Sequence, residues 1–227
     1  MQRLALLFAV LAFLPLACNN AVEVSAVTFP ENTGGESTIV DLDADAKAAL
    51  NGKNTKVTFV GSKPGQKHTG GFKELTGEVV CMKGSPGFKP APGASRVASI
   101  KAEIDATSIY SDNDQLTTHL KNEDFFAIKD YPKIKFVSTD CKLTDGNFDL
   151  TTVIGDLTLL KVTKPIKFQA RSLTKRGLQM VAEFKFNRSD FGMTFGKGKV
   201  DDEVTVRVVV GKDMDAPKDA PKDAAAK

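Results

Sequence analysis

The stretch HLKNEDFFAIKDYPKIKFVSTD, from His119 to Asp140, passes from a short polar lead to two adjacent phenylalanines, a Tyr-Pro step and then an alternating run. A Phe-Phe step at the mouth of a strand needs apolar matter to touch, because two large rings left in water forfeit their hydrophobic free energy. That matter is the protein's own core, a partner or a bound apolar molecule. Pro132 ends the irregular part, and IKFVST behind it starts a strand. Ahead of Phe125, DNDQLTTHLK predicts a helical turn with Asp112 or Asp114 as its cap, and NEDFFAI predicts a second one behind Asn122.

The alternation continues on both sides. In ASIKAEID, Ala98, Ile100, Ala102 and Ile104 share one face, with Ser99, Lys101, Glu103 and Asp105 on the other. Ile166, Phe168 and Ala170 alternate with Lys167, Gln169 and Arg171, and Met180, Ala182, Phe184 and Phe186 face away from Glu183, Lys185 and Asn187. Val204, Val206, Val208 and Val210 oppose Thr205 and Arg207. Such a period of two marks antiparallel strands with one face in water and one in the core. KPGQ, SPGFKPAPG, TDGN and TKRG supply turns between the runs. The pattern predicts an all-β chain of about eight antiparallel strands with short helices in one connection. Alternation alone fits a sandwich or a closed barrel, and a barrel of about that size either packs solid or holds one small ligand.

The chain has 227 residues, 41% hydrophobic and 26% charged, with a net charge of +3. This is the composition of a folded domain with appendages and excludes wholesale disorder. The small net charge and dispersed lysines give no nucleic-acid footprint. Fifteen phenylalanines against two tyrosines and no tryptophan supply aromatic area without polar handles, which suits the inside of a core or cavity.

Residues 1–18 read as an export signal: Arg3 is the positive start, LALLFAVLAFLPLA the apolar run, and Ala17 the small residue before Cys18. The run is too short to span a membrane comfortably. A small residue directly before a cysteine resembles the bacterial lipoprotein signal, in which lipidation of Cys18 would anchor the chain to a membrane; ordinary secretion is the other reading. Residues 19–36 read as a tether, and residues 212–227, with their repeated DAPK, as a disordered tail. Residues 37–211 remain as the domain. With Cys18 lipidated, Cys81 and Cys141 form an even pair in an oxidising compartment, either as a disulfide or as two buried thiols. CxxC, HExxH and GxSxG do not occur, and the two histidines stand far apart. The sequence therefore predicts no metal site and no nucleophile–base pair, and reads as a non-enzyme. GKGK at Gly196–Lys199 lacks the length of a phosphate-binding loop and reads as a hairpin loop.

IDATSIYSDNDQLTTHLKNEDFFAIKDYPKIKFVST resembles the signature of the YceI-like family, the polyisoprenoid-binding, lipocalin-like periplasmic proteins. Ile104, Asp105, Ser108 and Ile109 match its first part; His119, Leu120, Asp124, Phe125, Phe126, Tyr131, Pro132, Ile134, Phe136, Ser138 and Thr139 match its second. GDLTLLKVTKPIKFQA from Gly155, FNRSDFGM from Phe186 and KVTFVGSKPGQKHTGGFKELTGEV from Lys56 resemble further family segments in order, so the likeness spans residues 37–211. Thr117 departs from an acidic residue, Leu160-Lys161 from a glycine-containing turn, and Gly61-Ser62 from the aromatic and histidine residues of the family's first strand.

The resemblance implies an up-and-down lipocalin-like barrel around a long apolar pocket. Its lipid-binding wall would comprise Phe59, Ile100, Ile104, Leu120, Ile134, Phe136, Leu157, Phe168, Phe184 and Phe186, with Phe125 and Phe126 lining or gating it. The implied function is to bind and sequester or carry a long-chain amphipathic lipid, an isoprenoid or isoprenoid quinone, in the periplasm, with no other cofactor and with a homodimer as one arrangement. In the alternative, the same side chains fill a solid core in an envelope interaction lipoprotein that presents loops to a protein partner. His119 and Arg188 are head-group candidates. The plainer readings are a structural histidine tying the helix to a strand, and a turn at Asn187–Asp190 held by side-chain hydrogen bonds. His68, in a Gly-rich loop, reads as exposed.

Overall fold

The computed structural model describes residues 40–41, 46–82, 97–144, 147–173 and 177–213. The stretch expected to be an export signal, Cys18, the expected tether and residues 214–227 of the expected tail lie outside the described residues; Asp213, counted with the tail, accepts from the Arg207 guanidinium at 2.8 Å. Within them the alternating runs form one antiparallel sheet of eleven strands: β1 (Lys47–Asn51), β2 (Thr55–Lys63), β3 (Gln66–Phe72), β4 (Leu75–Cys81), β5 (Val97–Asp105), β6 (Ile109–Ser111), β7 (Lys133–Thr144), β8 (Asn147–Leu159), β9 (Val162–Leu173), β10 (Gln179–Asn187) and β11 (Glu203–Val210). One α-helix, α1 (Asp114–Leu120), and two 3-10 turns, Ala106–Ser108 and Arg188–Phe191, complete it.

Eleven strands where about eight were expected is a difference of interruption. β1 pairs with β4 and β2 with β3, while β4 pairs with β5 and β3 with β6. Thus β1–β2, β3–β4 and β5–β6 are three interrupted passes of the chain, and with β7 to β11 they make eight passes. β5 continues the ladder to β7, and the pairing runs through β8, β9, β10 and β11 to β2. The order returns to its start, as an up-and-down barrel requires, and each pass has a neighbour on both sides.

The circuit is interrupted where β3 gives way to β4. Phe72 pairs with Ile109 and Leu75 with Ile104, so one pass carries surplus residues, which the 3-10 turn at Ala106–Ser108 takes up. Ser108 Oγ accepts hydrogen bonds from the Lys73 and Glu74 backbone N–H groups at 3.2 and 3.0 Å and donates to the Asp105 carbonyl at 2.6 Å. The Asp105 N–H donates to the Glu74 carbonyl at 3.0 Å, and the Asp105 carboxylate accepts from the Thr107 N–H at 2.9 Å. Two polar residues of the signature therefore fasten backbone across a gap in the ladder, where the Glu74 N–H would otherwise lose its partner and the Lys73 N–H would keep only the Ser108 carbonyl at 3.3 Å.

The helix caps differ from expectation. Asn113, and neither Asp112 nor Asp114, caps α1, its side chain accepting from the Leu116 N–H at 2.9 Å. Asp112 is engaged elsewhere, accepting from the Thr69 N–H at 2.9 Å and lying 2.9 Å from His68 Nδ1. NEDFFAI forms consecutive turns instead of a second helix, with the Phe125 and Ala127 N–H groups both donating to the Asn122 carbonyl and Ala127 turning out at φ 42°. Thr117 ties α1 to β6, its hydroxyl accepting from the Ser111 N–H at 2.9 Å. Leu160 adopts φ 54° in the two-residue connection between β8 and β9, the conformation for which a hairpin turn there favours glycine.

Cys81, buried, and Cys141, half-buried, are not joined in a disulfide, and burial pushes the Cys141 thiol up from its ordinary pKa. The pair is thus unbridged, but only Cys81 has the burial that the two-thiol reading gave to both.

Ser108→Ala removes the sole hydroxyl serving two N–H groups at the junction. It is expected to lower unfolding stability by about 1–2 kcal/mol, measured as a shift in urea midpoint with an unchanged slope. Hydrogen bonds from Thr107 hold Asp105 below the ordinary aspartate pKa, and hydrogen bonds from Ser189 do the same for Asp202. Their contribution is complete above the unfolded aspartate value and is lost as pH falls through the lower folded values. Unfolding scans in acid are expected to show stability declining below about pH 4, with a shallower decline in Thr107→Val.

Candidate binding cavity

The inward faces of the eight passes do not meet. They enclose a cavity of about 380 Å³, within the range of about 300–1,000 Å³ common for small-molecule pockets. All twelve expected wall residues line it: Phe59, Ile100, Ile104, Leu120, Phe125, Phe126, Ile134, Phe136, Leu157, Phe168, Phe184 and Phe186. His119 and Arg188 line it as well. The solid-core alternative expected a filled interior and does not match this lumen.

The rings are arranged along the wall. Phe168 stacks on Phe184 with centroids 4.9 Å apart and touches Phe136 at 5.5 Å. Phe59, Phe72 and Phe126 form a second group, with Phe72 and Phe126 edge to face at 5.6 Å. Phe59 and Phe136 lie over glycines: a Cβ on Gly70 would stand 2.5 Å from the Phe59 ring, and one on Gly155 would stand 2.5 Å from that of Phe136. The GDLT segment thus needs glycine so that a ring can lie against the sheet.

Phe125 and Phe126 divide between two environments. Phe126 joins the ring group on β2 and β3, whereas buried Phe125 packs against His119 at 5.0 Å and Phe195 at 5.5 Å. His119 also meets Phe195 edge to face at 4.8 Å. Phe195 belongs to the connection between β10 and β11, lines the cavity and is 42% exposed. The cavity therefore reaches the surface here, where the exposed lining residues Lys63 and Asp201 also stand.

The polar groups of this rim have definite partners. His119 Nε2 lies 2.8 Å from Asp124 Oδ2, so the histidine ties the helix to the following turn, and not to a strand. His68 lies in β3, half-buried and bonded to Asp112, where a simple exposed loop was expected. Arg188 is 4% exposed, and its guanidinium donates to the carbonyls of Asp201, Met193 and Val200 at 3.0, 2.9 and 3.2 Å. Ser189 donates from its N–H and hydroxyl to Asp202 at 2.9 and 2.5 Å, so the expected side-chain-bonded turn is present. Ser62 Oγ donates to Asp201 at 2.6 Å. GKGK lies within this same long connection.

Sequence alternation missed Phe72 and Phe195. Phe72 ends the run QKHTGGF, where glycines hide the period, and Phe195 lies outside any strand; its neighbours carry no periodic signal.

An antiparallel barrel with an apolar lumen and a polar, ring-bearing rim defines a lipocalin-like binding protein. The family model for the YceI-like domain matches residues 49–211, and the chain belongs to that family. A UPF0312 protein of Pseudomonas putida strain W619 is 33% identical over 101 residues, covering 44% of this chain and 47% of the relative, so the match spans about half that protein's length. A UPF0312 protein of Pectobacterium atrosepticum is 26% identical over 193 residues, covering 77% of this chain and 96% of the relative. Among solved structures, Burkholderia cenocepacia BcnA is similar with a TM-score of 0.57 at 22% identity, covering 69% of this chain and 94% of that one. A polyisoprenoid-binding domain from Saccharophagus degradans gives 0.54 at 16% identity, covering 73% and 96%. These structures share the fold.

Arg188→Ala would leave three carbonyls of the β10–β11 connection without their donor. The expected cost is about 3 kcal/mol or more, checked by thermal unfolding beside Ser189→Ala, which loses a more exposed contact and is expected to cost less.

Proposed function

We propose that this chain binds a long-chain amphipathic lipid of the isoprenoid type, an isoprenoid quinone being one such molecule, and sequesters or carries it in the bacterial cell envelope. The apolar tail occupies the lumen and the head stays at the rim. One observation carries this reading: a cavity of about 380 Å³ whose wall is mostly ring and aliphatic surface, with polar groups such as His119, Arg188 and Lys63 also in its lining. An apolar lumen of this kind stays dry when empty and gains from any apolar guest. Each buried methylene contributes roughly 0.8 kcal/mol, so a tail of some length outweighs association and ordering costs of several kcal/mol.

The reading is one of binding without turnover. Among the described residues each histidine of the wall is bonded to a carboxylate, His68 to Asp112 and His119 to Asp124, and neither holds a nucleophile. The envelope location rests on the export signal in residues 1–18, and a lipid on Cys18 would hold the barrel beside the membrane that supplies its guest.

Organic extraction of natively purified protein followed by mass spectrometry is expected to recover one lipid per chain. Ala102, half-buried, lines the lumen between Ile100 and Ile104. Ala102→Phe should fill that space and cut the recovered lipid about tenfold while the protein still unfolds cooperatively. An empty wild-type protein, or a folded Ala102→Phe with a full load, would overturn the reading.

A further inference from the structure

The chemistry of the rim goes further than the apolar wall, because it bears on the head of the guest. Five ionisable side chains line the cavity: Lys63, His68, His119, Arg188 and Asp201. The two histidines are bonded to Asp112 and Asp124 outside the lining, and Asp201 accepts from Ser62. Arg188 carries a full positive charge at 4% exposure, with carbonyl oxygens as its hydrogen-bond partners and no carboxylate within ion-pair distance among the described residues. Three of its five N–H groups are occupied by those carbonyls. Lys63 is the ionisable side chain of the lining whose charged group has no partner among the described residues.

These charges stand at one end of the lumen. The Asp201 N–H donates to the Ser62 carbonyl at 2.9 Å, and the Asp201 carbonyl accepts from Arg188. Ser62 is the neighbour of Lys63 on β2, so one short hydrogen-bonded path joins the two cations. Lys63 and Arg188 are the lysine and arginine of this lining, and of the two only Lys63 lacks a hydrogen-bond partner among the described residues. The Asp202 carboxylate already lies in the field of Arg188, whereas the Lys63 ammonium, without a partner among the described residues, gains from an anion brought beside it and supplies charge-assisted hydrogen bonds to it.

We propose that this end of the cavity selects an amphipath with an anionic head, a phosphate or a carboxylate, held by Lys63 in the field of Arg188. The proposal rests on the lipid-binding reading and adds the class of head. A neutral quinone would leave the Lys63 ammonium without an anionic partner.

The test is displacement of a fluorescent lipid probe from the full chain by geranylgeranyl monophosphate, hexadecanoate, geranylgeraniol and a short-tailed ubiquinone. The phosphate is expected to bind about tenfold or more tighter than the alcohol of the same tail, with the gap shrinking at high salt. Lys63→Gln should close most of that gap and Lys63→Arg should restore it, thermal unfolding confirming that each variant is folded. Hexadecanoate competing as well as the phosphate would point to charge as what is read; phosphate alone competing would restrict the head to phosphate. Equal affinity for phosphate, alcohol and quinone would overturn the anionic head and leave lipid binding standing. A gap unchanged in Lys63→Gln would overturn the assignment to Lys63. Failure of every probe to enter would overturn the lipid-binding reading itself.

Discussion

Closure of the sheet sets the distance between opposite walls. In an eight-pass antiparallel barrel that distance follows from strand number and tilt, whatever side chains point inward. Large residues usually fill such an interior, and this one carries many phenylalanines, yet about 380 Å³ stays open. The disposition of the rings accounts for this. Phe59 lies over Gly70 and Phe136 over Gly155, in positions that a single Cβ would obstruct, and Phe168 stacks along the wall on Phe184. Rings laid along the wall line the lumen instead of filling it.

The same closure has to pass through the interrupted pairing at Lys73–Glu74, and this is where polar sequence enters the structure. Ser108 and Asp105 supply the hydrogen bonds that the ladder omits there. The rim is fastened in a similar way: Asp112 and Thr117 hold the α1 connection to β3 and β6, and Asp201 holds the long β10–β11 connection to β2. Each fastener binds backbone at the root of a loop. Farther out the two connections meet through the rings of His119, Phe125 and Phe195. The rim is therefore anchored at its base and apolar at its tip, and an apolar chain passing this point meets aromatic surface before it meets the wall.

This division also explains what could be read from sequence. Period-two alternation is a local property, so it found the wall: residues such as Ile100, Phe168 and Phe184 show their face by their neighbours. The fasteners work across long separations, Ser108 reaching Lys73 and Asp112 reaching His68, and no local period reports them. The cap of α1 was misjudged for that reason, since Asp112 is withdrawn to β3 and Asn113 takes its place. The count of strands erred similarly, because an interruption such as Asn51–Thr55 breaks one pass without changing its neighbours. His68 was misplaced because Gly70 and Gly71 look like a loop, whereas they sit in β3 where ring and backbone come close.

Affinity and selectivity consequently reside in different parts of the barrel. A wall of hydrocarbon and ring faces rewards buried area without direction, so it responds to the length and bulk of a tail and is indifferent to its functional groups. Discrimination between chemical classes requires groups whose satisfaction depends on the guest, and among the described residues the ionisable ones of the lining are Lys63, His68, His119, Arg188 and Asp201. There most polar atoms already have intramolecular partners, His119 with Asp124 and Arg188 with three carbonyls among them. A side chain spent on holding a loop contributes its charge to a guest but little geometry. The directional part then falls to Lys63, whose ammonium has no other partner among the described residues, and a specificity built on one mobile-stemmed cation reads charge more than shape.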